Sequence, residues 1–227
     1  MKEVRSNKDW VLITLGVIML GSIWGLLECT LGSTKTDLFG FPVSMGAVMA
    51  GLFGIGFMLF ARKMFRFTGA SLAVAFVAGM MRLLAPVGTC VICSAIAIIV
   101  EGLIFEVIVN RKLILGNIEG AKKDFRTLAF AGVVTGFSMF TTGFLLTQIL
   151  TPLFTEGILI SAGDIWAIRN LMIGRGFYAA LLGGISMPVV TLVDLLHLDV
   201  TKIRKGAYYT ASIAVSVLCW VSVVVLV

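Results

Sequence analysis

Fourteen of the chain's 18 lysines and arginines fall in four short stretches, and those stretches occupy every second gap between long apolar runs. They are Lys2, Arg5 and Lys8; Arg62, Lys63 and Arg66; Arg111, Lys112, Lys122, Lys123 and Arg126; and Lys202, Arg204 and Lys205. Basic residues beside membrane spans are retained in the cytoplasm, so this alternation predicts a multi-pass membrane protein and its orientation together. The N-terminus and the gaps after the second, fourth and sixth runs are expected inside, and the C-terminus outside.

Composition points the same way: 59% of the 227 residues are hydrophobic and 13% charged, with a mean hydropathy of +1.07. A hydrocarbon core about 30 Å thick takes about 20 apolar residues per helix. Segments of that kind run over Trp10–Leu31, Phe41–Ala61, Thr68–Leu84, Cys90–Val109, Leu128–Leu150, Ile165–Leu192 and Ala207–Val227. The expected fold is therefore an all-α polytopic bundle of about seven helices, six plus one, forming a single transmembrane domain over residues 1–227. Arg169, Asn170 and Arg175 interrupt the sixth segment, which reads either as a full crossing or as an interfacial helix followed by a shorter span.

The net charge of +6 is no nucleic-acid signal, because the basic residues flank helices where they face anionic lipid. The first apolar run is too long for a cleavable leader and reads as a permanent first span. No hydrophilic stretch is long enough for a soluble catalytic domain, so chemistry is expected between the helices.

Ionisable groups at membrane depth are costly and mark candidate sites. Glu28 and Cys29 fall near the outer end of the first span, and Arg82 near the outer end of the third. At about 1.5 Å per residue, Glu101 lies roughly 17 Å below Cys90, close to the midplane. A carboxylate there needs a partner, and Arg175 is at similar depth. Glu106, Asp194 and Arg82 are near enough to span ends to reach water. Thr141, Thr142, Thr147 and Gln148 are expected to bring polar groups to the same outer mouth, and His197 lies in an inner gap.

Cys90 and Cys93 form a CxxC at a helix start. Three readings stay open: packing residues, a soft-metal site completed by Cys29, or a redox pair. Small residues four apart, among them Gly21 and Gly25 in the first span, permit close helix approach within the bundle or against a partner.

The elements Trp24-Gly25-Leu26-Leu27-Glu28, Pro42, Gly46 and Pro86 through Glu106, together with the absence of a soluble domain, resemble the substrate-binding S-component of energy-coupling factor (ECF) transporters. The resemblance covers roughly the first 190 residues and is architectural more than motif-based. It implies uptake of a micronutrient, such as a vitamin, a cobalamin-like compound or a metal-linked cofactor, bound in the outer half of the bundle. It also implies a prokaryotic cytoplasmic membrane and a coupling membrane subunit with ATPases, met through Gly21 and Gly25. Members have six spans, one fewer than counted here. They hydrolyse no ATP, and this chain has no GxxxxGK[ST] phosphate loop.

The expected substrate-binding set is Glu28, Arg82, Cys90, Cys93, Glu101 and Arg175, with Cys29, Cys90 and Cys93 as possible metal ligands. The expected partners are the bilayer, a small-molecule substrate and the coupling subunit, with no resident cofactor beyond a vitamin or soft metal carried as substrate. Two other classes remain: an anchoring subunit of a larger membrane complex, and a thiol oxidoreductase exchanging disulfides at Cys90 and Cys93.

Overall fold

A computed structural model of the chain describes residues 7–31, 35–38, 41–65, 67–85, 90–110, 125–154, 162–192 and 205–226. Its helices are α1 (Asn7–Leu31), α2 (Met45–Phe65), α3 (Ala70–Arg82), α4 (Val91–Asn110), α5 (Phe125–Phe154), α6 (Ala162–Leu192) and α7 (Lys205–Leu226). Among the described residues the strands are those of one antiparallel hairpin, β1 (Lys35–Leu38) and β2 (Phe41–Ser44), in which Lys35 faces Ser44 and Leu38 faces Phe41. All the helices except α3 are long and apolar enough to cross a membrane, and α3 is a shorter apolar helix of 13 residues. The chain therefore belongs to the class of helical multi-pass membrane proteins.

The second segment differs from the sequence reading at both ends. The second segment begins as a strand, because Pro42 lacks an N–H and holds Phe41 extended, so the helix starts at Met45. It also continues to Phe65, past the expected end at Ala61. Arg62 and Lys63 stay helical because both find acceptors: Arg62 Nη1 donates to Glu106 at 2.7 Å, and Lys63 Nζ donates to the carbonyls of Val190 and Thr191 at 3.1 and 2.7 Å. Lys63 thereby satisfies orphan carbonyls in the last turn of α6. The sixth segment is one uninterrupted helix of 31 residues, not an interfacial piece and a shorter span.

Contacts set the helix directions. Gly16 meets Phe65, and Trp24 meets Gly54, so α1 and α2 are antiparallel. Gly21 lies on Val74 and Val77, and Gly25 on Ala78 and Met81, so α1 and α3 run together. Gly79 packs on Ala95 and Ile99 while Gly102 packs on Ala75, which opposes α3 and α4. Gly132 meets Gly183 and Gly136 meets Ala179, which opposes α5 and α6. The Ser186 hydroxyl donates to the Leu52 carbonyl, and Lys63 reaches Val190, so α2 and α6 run together. Tyr208 reaches the Leu12 carbonyl and Trp220 the Ser22 hydroxyl, so α7 runs with α1. Successive helices thus alternate in direction.

The glycine seams permit these approaches. In α2 the six residues Met49–Gly54 form a π-helical turn, which sets Gly51 against the Ala179 backbone and Gly54 beneath the Trp24 indole. A wider turn within an α-helix is a recurrent device for seating such contacts. The fully buried side chains include Trp24, Ile55, Met58, Phe105, Leu128 and Met139. Phe130, Phe177, Ile185, Leu218 and Val221 are exposed, giving the small-inside, apolar-outside pattern of a bundle in lipid.

Candidate functional site

α1 and α3 end where α4 begins, and there Glu28, Arg82 and Ser94 lie on adjoining helices. Trp24 and Glu28 are four apart on α1 and therefore share one face. Arg82, the last residue of α3, is only 5% exposed, and its Nε donates to Ser94 Oγ at 3.1 Å. Glu28 lies within electrostatic reach of Arg82, as does Cys29. Two helical turns below Ser94, and so on the same face of α4, stands Glu101.

Glu101 is 8% exposed and makes no hydrogen bond or ion pair among the described residues. The charged group that acts on it is Glu28, a like charge. Room for its carboxyl comes from Gly143 on α5, where a Cβ would stand 2.9 Å from Oε1. The Trp24 indole N–H lies near Glu28 without reaching hydrogen-bond geometry, and it is buried without a partner. Glu28 keeps some accessible surface.

Cys90 and Cys93 are joined as a disulfide with their Cα atoms 5.3 Å apart. The Ser94 N–H bonds the Cys90 carbonyl at 3.1 Å, so this loop forms the first turn of α4 and presents Ser94 to Arg82. Cys29 is a free, buried thiol whose Sγ contacts the Met81 carbonyl at 3.8 Å. A three-cysteine metal site does not form, because two of its sulfurs are consumed in the disulfide. Among the described residues no three His, Cys, Asp or Glu side chains gather to hold a metal.

Three further expectations are corrected. Arg175 does not pair with Glu101; it lies over the Phe144 ring at 5.9 Å. Phe144 follows Gly143, the residue that faces Glu101, and is therefore turned about 100° round α5. Gly21 and Gly25 offer no partner surface, since α3 fills their face: a Cβ would come within 2.6 Å of Val77 at Gly21 and within 2.9 Å of Met81 at Gly25. Thr141 and Thr147 turn their hydroxyls back to the carbonyls of Phe137 and Phe144 at 2.6 and 2.7 Å, and Thr142 is exposed. Asp194 and His197 lie outside the described residues.

At the other end of α3 and α4, Glu106 accepts from Arg62 and from the Gly69 N–H at 2.8 Å, so it is clamped rather than reaching for water. An apolar cleft of about 250 Å³ opens between α1, α2 and α6, lined by residues such as Leu20, Phe53, Phe57 and Val190. It has the chemistry of an acyl-chain groove and lacks the charged groups of the Glu28 cluster. Trp24, Ser94 and Gly143 were not foreseen as site residues. The first two carry a signal in their spacing from Glu28 and Glu101, whereas Gly143 carries none.

No family model matches the chain, and no curated protein or solved structure matches it either.

Proposed function

We propose that this chain is a membrane-embedded binding subunit for uptake of a small micronutrient, built in the manner of an ECF S-component. One observation carries this reading: inside the bundle Arg82 is buried on Ser94, Glu101 is buried without a hydrogen bond, and Glu28 on α1 lies within electrostatic reach of both. Placing such groups is expensive, and a carboxyl left without a hydrogen bond is poor structural cement. A site that binds a polar solute explains why they are there. Cys90 and Cys93 border it and shape the start of α4 without ligating.

The alternating directions support seven crossings, with α7 as the helix added to a six-helix plan; the basic stretches support an N-terminus in the cytoplasm, and the ECF reading supplies the prokaryotic cell. The energy comes from a coupling membrane subunit with ATPases. That subunit meets a face other than Gly21 and Gly25, which α3 covers. Native mass spectrometry of the complex extracted in mild detergent is expected to release a bound small molecule and to show the partner subunits. A Glu101→Ala protein that binds and transports like the wild type would sink the assignment.

The Cys90–Cys93 disulfide favours a second reading, a thiol oxidoreductase whose pair accepts two electrons from a substrate dithiol. Cys90→Ser with Cys93→Ser separates the two. Intact solute uptake with unchanged cellular thiol oxidation leaves the transporter reading alone, while lost thiol oxidation replaces it.

A further inference from the structure

The bond between Cys90 and Cys93 lies in a turn that hydrogen bonds close as well. The Ser94 N–H reaches the Cys90 carbonyl at 3.1 Å, and the Cys93 N–H reaches Cys90 Sγ at 3.2 Å. Cys90 is therefore the N-cap of α4 and Cys93 its third residue, the two positions that a capping box links. A disulfide stabilises chiefly by closing a long loop in the unfolded chain, and these cysteines are only 3 apart in sequence. As a staple for the fold the bond adds little.

Access to its two ends is unequal. Cys93 is 1% exposed, whereas Cys90 is partly open at the start of the helix. Exchange proceeds by attack of a thiolate on one sulfur of the pair, so an incoming thiolate enters at Cys90. Cys93 then leaves at the amino end of α4, where the helix dipole favours negative charge. Next in the chain is Ser94, whose hydroxyl accepts from Arg82 Nε at 3.1 Å, and Arg82 is the last residue of α3. The state of the bond is thus passed to the contact between the two helices.

We propose that the Cys90–Cys93 pair is a redox latch on the start of α4, opened by a dithiol that enters at Cys90. The first thiolate of the dithiol forms a mixed disulfide with Cys90 Sγ, and Cys93 leaves with the electron pair and takes up a proton. The second thiolate then displaces Cys90, which is protonated in turn. The dithiol ends as a disulfide and the pair as two thiols. A low-molecular-weight disulfide reverses both steps and closes the latch. Once open, α4 is capped only by a thiol, a weak acceptor. Its first turn then frays and draws Ser94 away from Arg82. The latch is independent of what the bundle binds, and unlike an oxidoreductase it opens once and does not turn over.

The test uses the full-length protein in detergent, treated with dithiothreitol and then N-ethylmaleimide and read by mass spectrometry. Cys90 and Cys93 are expected to become labelled while the folded chain keeps its buried thiols, Cys29 and Cys219, protected. A short pulse of reduced glutathione should leave its mixed disulfide on Cys90. Hydrogen exchange in a peptide carrying Cys93 and Ser94 should be at least about tenfold faster in the reduced protein, with residues 98–105 unchanged. Cys90→Ala with Cys93→Ala should exchange fast with or without dithiothreitol. Cys90→Ser with Cys93→Ala should stay slow in both, because a serine hydroxyl is a strong N-cap.

A bond that resists dithiothreitol until the chain unfolds is a staple and overturns the latch. So does equal exchange at Ser94 in the oxidised and reduced protein. Glutathione found on Cys93 overturns entry at Cys90. Consumption of many dithiols per chain in air makes the pair a catalyst and replaces the latch with the oxidoreductase.

Discussion

Glu106 holds two elements with one carboxylate: the Arg62 guanidinium at the end of α2 and the Gly69 N–H in the turn before α3. Removing the carboxylate orphans both donors, whereas removing Arg62 leaves the bond to Gly69 in place. Glu106→Ala is therefore expected to destabilise by about 2–3 kcal/mol and Arg62→Ala by about 1 kcal/mol, the pair being only partly buried. The double variant should cost less than the sum by about 1 kcal/mol, because the two share one interaction. A thermal double-mutant cycle in detergent measures this; strict additivity would mean the ion pair contributes nothing. Gly69 itself has φ +97°, a backbone state that side chains strain to adopt. Gly69→Ala should lower stability by about 1–2 kcal/mol even though no neighbour crowds its Cβ. At this scale depth was readable from the sequence and direction was not. Glu101 is interior as residue counting implies, but Arg82, close enough to a span end to reach water, is buried on Ser94, and Arg175 at matching depth faces Phe144. Helix rotation decides which side chains meet, and one sequence of mostly apolar residues does not specify it.

At the scale of elements, the α5–α6 pair depends on absent side chains. Gly132 and Gly183 touch backbone to backbone, and a methyl on Gly132 would strike the Gly183 carbonyl. Backbone cannot move aside as a flexible side chain can, so Gly132→Ala should spread the two helices and reduce the yield of folded protein. Gly174, on the same α6, has nothing within 4 Å of its would-be Cβ. There the same substitution should be neutral, or stabilising by about 0.5–1 kcal/mol through helix propensity. Fluorescence-detected size exclusion of the two variants gives the comparison. If Gly174→Ala were the more harmful, the seam would not be what holds the pair. Most elements were legible because apolar length is a strong signal. The β1–β2 hairpin was not, since Phe41-Pro42-Val43 continues the apolar run of α2 and only Pro42 marks the extended backbone. Small residues announced close packing without saying against what, and for Gly21 and Gly25 the answer is α3.

For the whole molecule the decisive quantity is the parity of crossings, which turns on α3. Its 13 residues span only about 20 Å, against a hydrocarbon core of about 30 Å. Short or irregular backbone at membrane depth is tolerated when protein surrounds it. That condition is met: α1 lies along one side of α3 through Gly21 and Gly25, and α4 along the other through Gly79 and Gly102. Beyond Arg82 the turn continues through hydrogen bonds from Leu83, Leu84 and Ala85 to the carbonyls of Met80, Met81 and Arg82, adding length before α4 begins. The two ends of α3 also sit at opposite levels of α4, Gly69 beside Glu106 and Arg82 beside Ser94. A helix that returned to its starting side would bring both ends to one level. On the proposed seven crossings with the N-terminus inside, the two chain ends lie in different compartments, so green fluorescent protein fused before Met1 should fluoresce and alkaline phosphatase fused after Val227 should be active. Deleting α7 reverses the second outcome, because the new C-terminus after α6 then lies inside and the phosphatase there stays inactive. Finding both ends of the full chain in the cytoplasm would remove the crossing by α3 or by α7. The deletion tells which, since losing a true span flips the reporter and losing a surface helix does not.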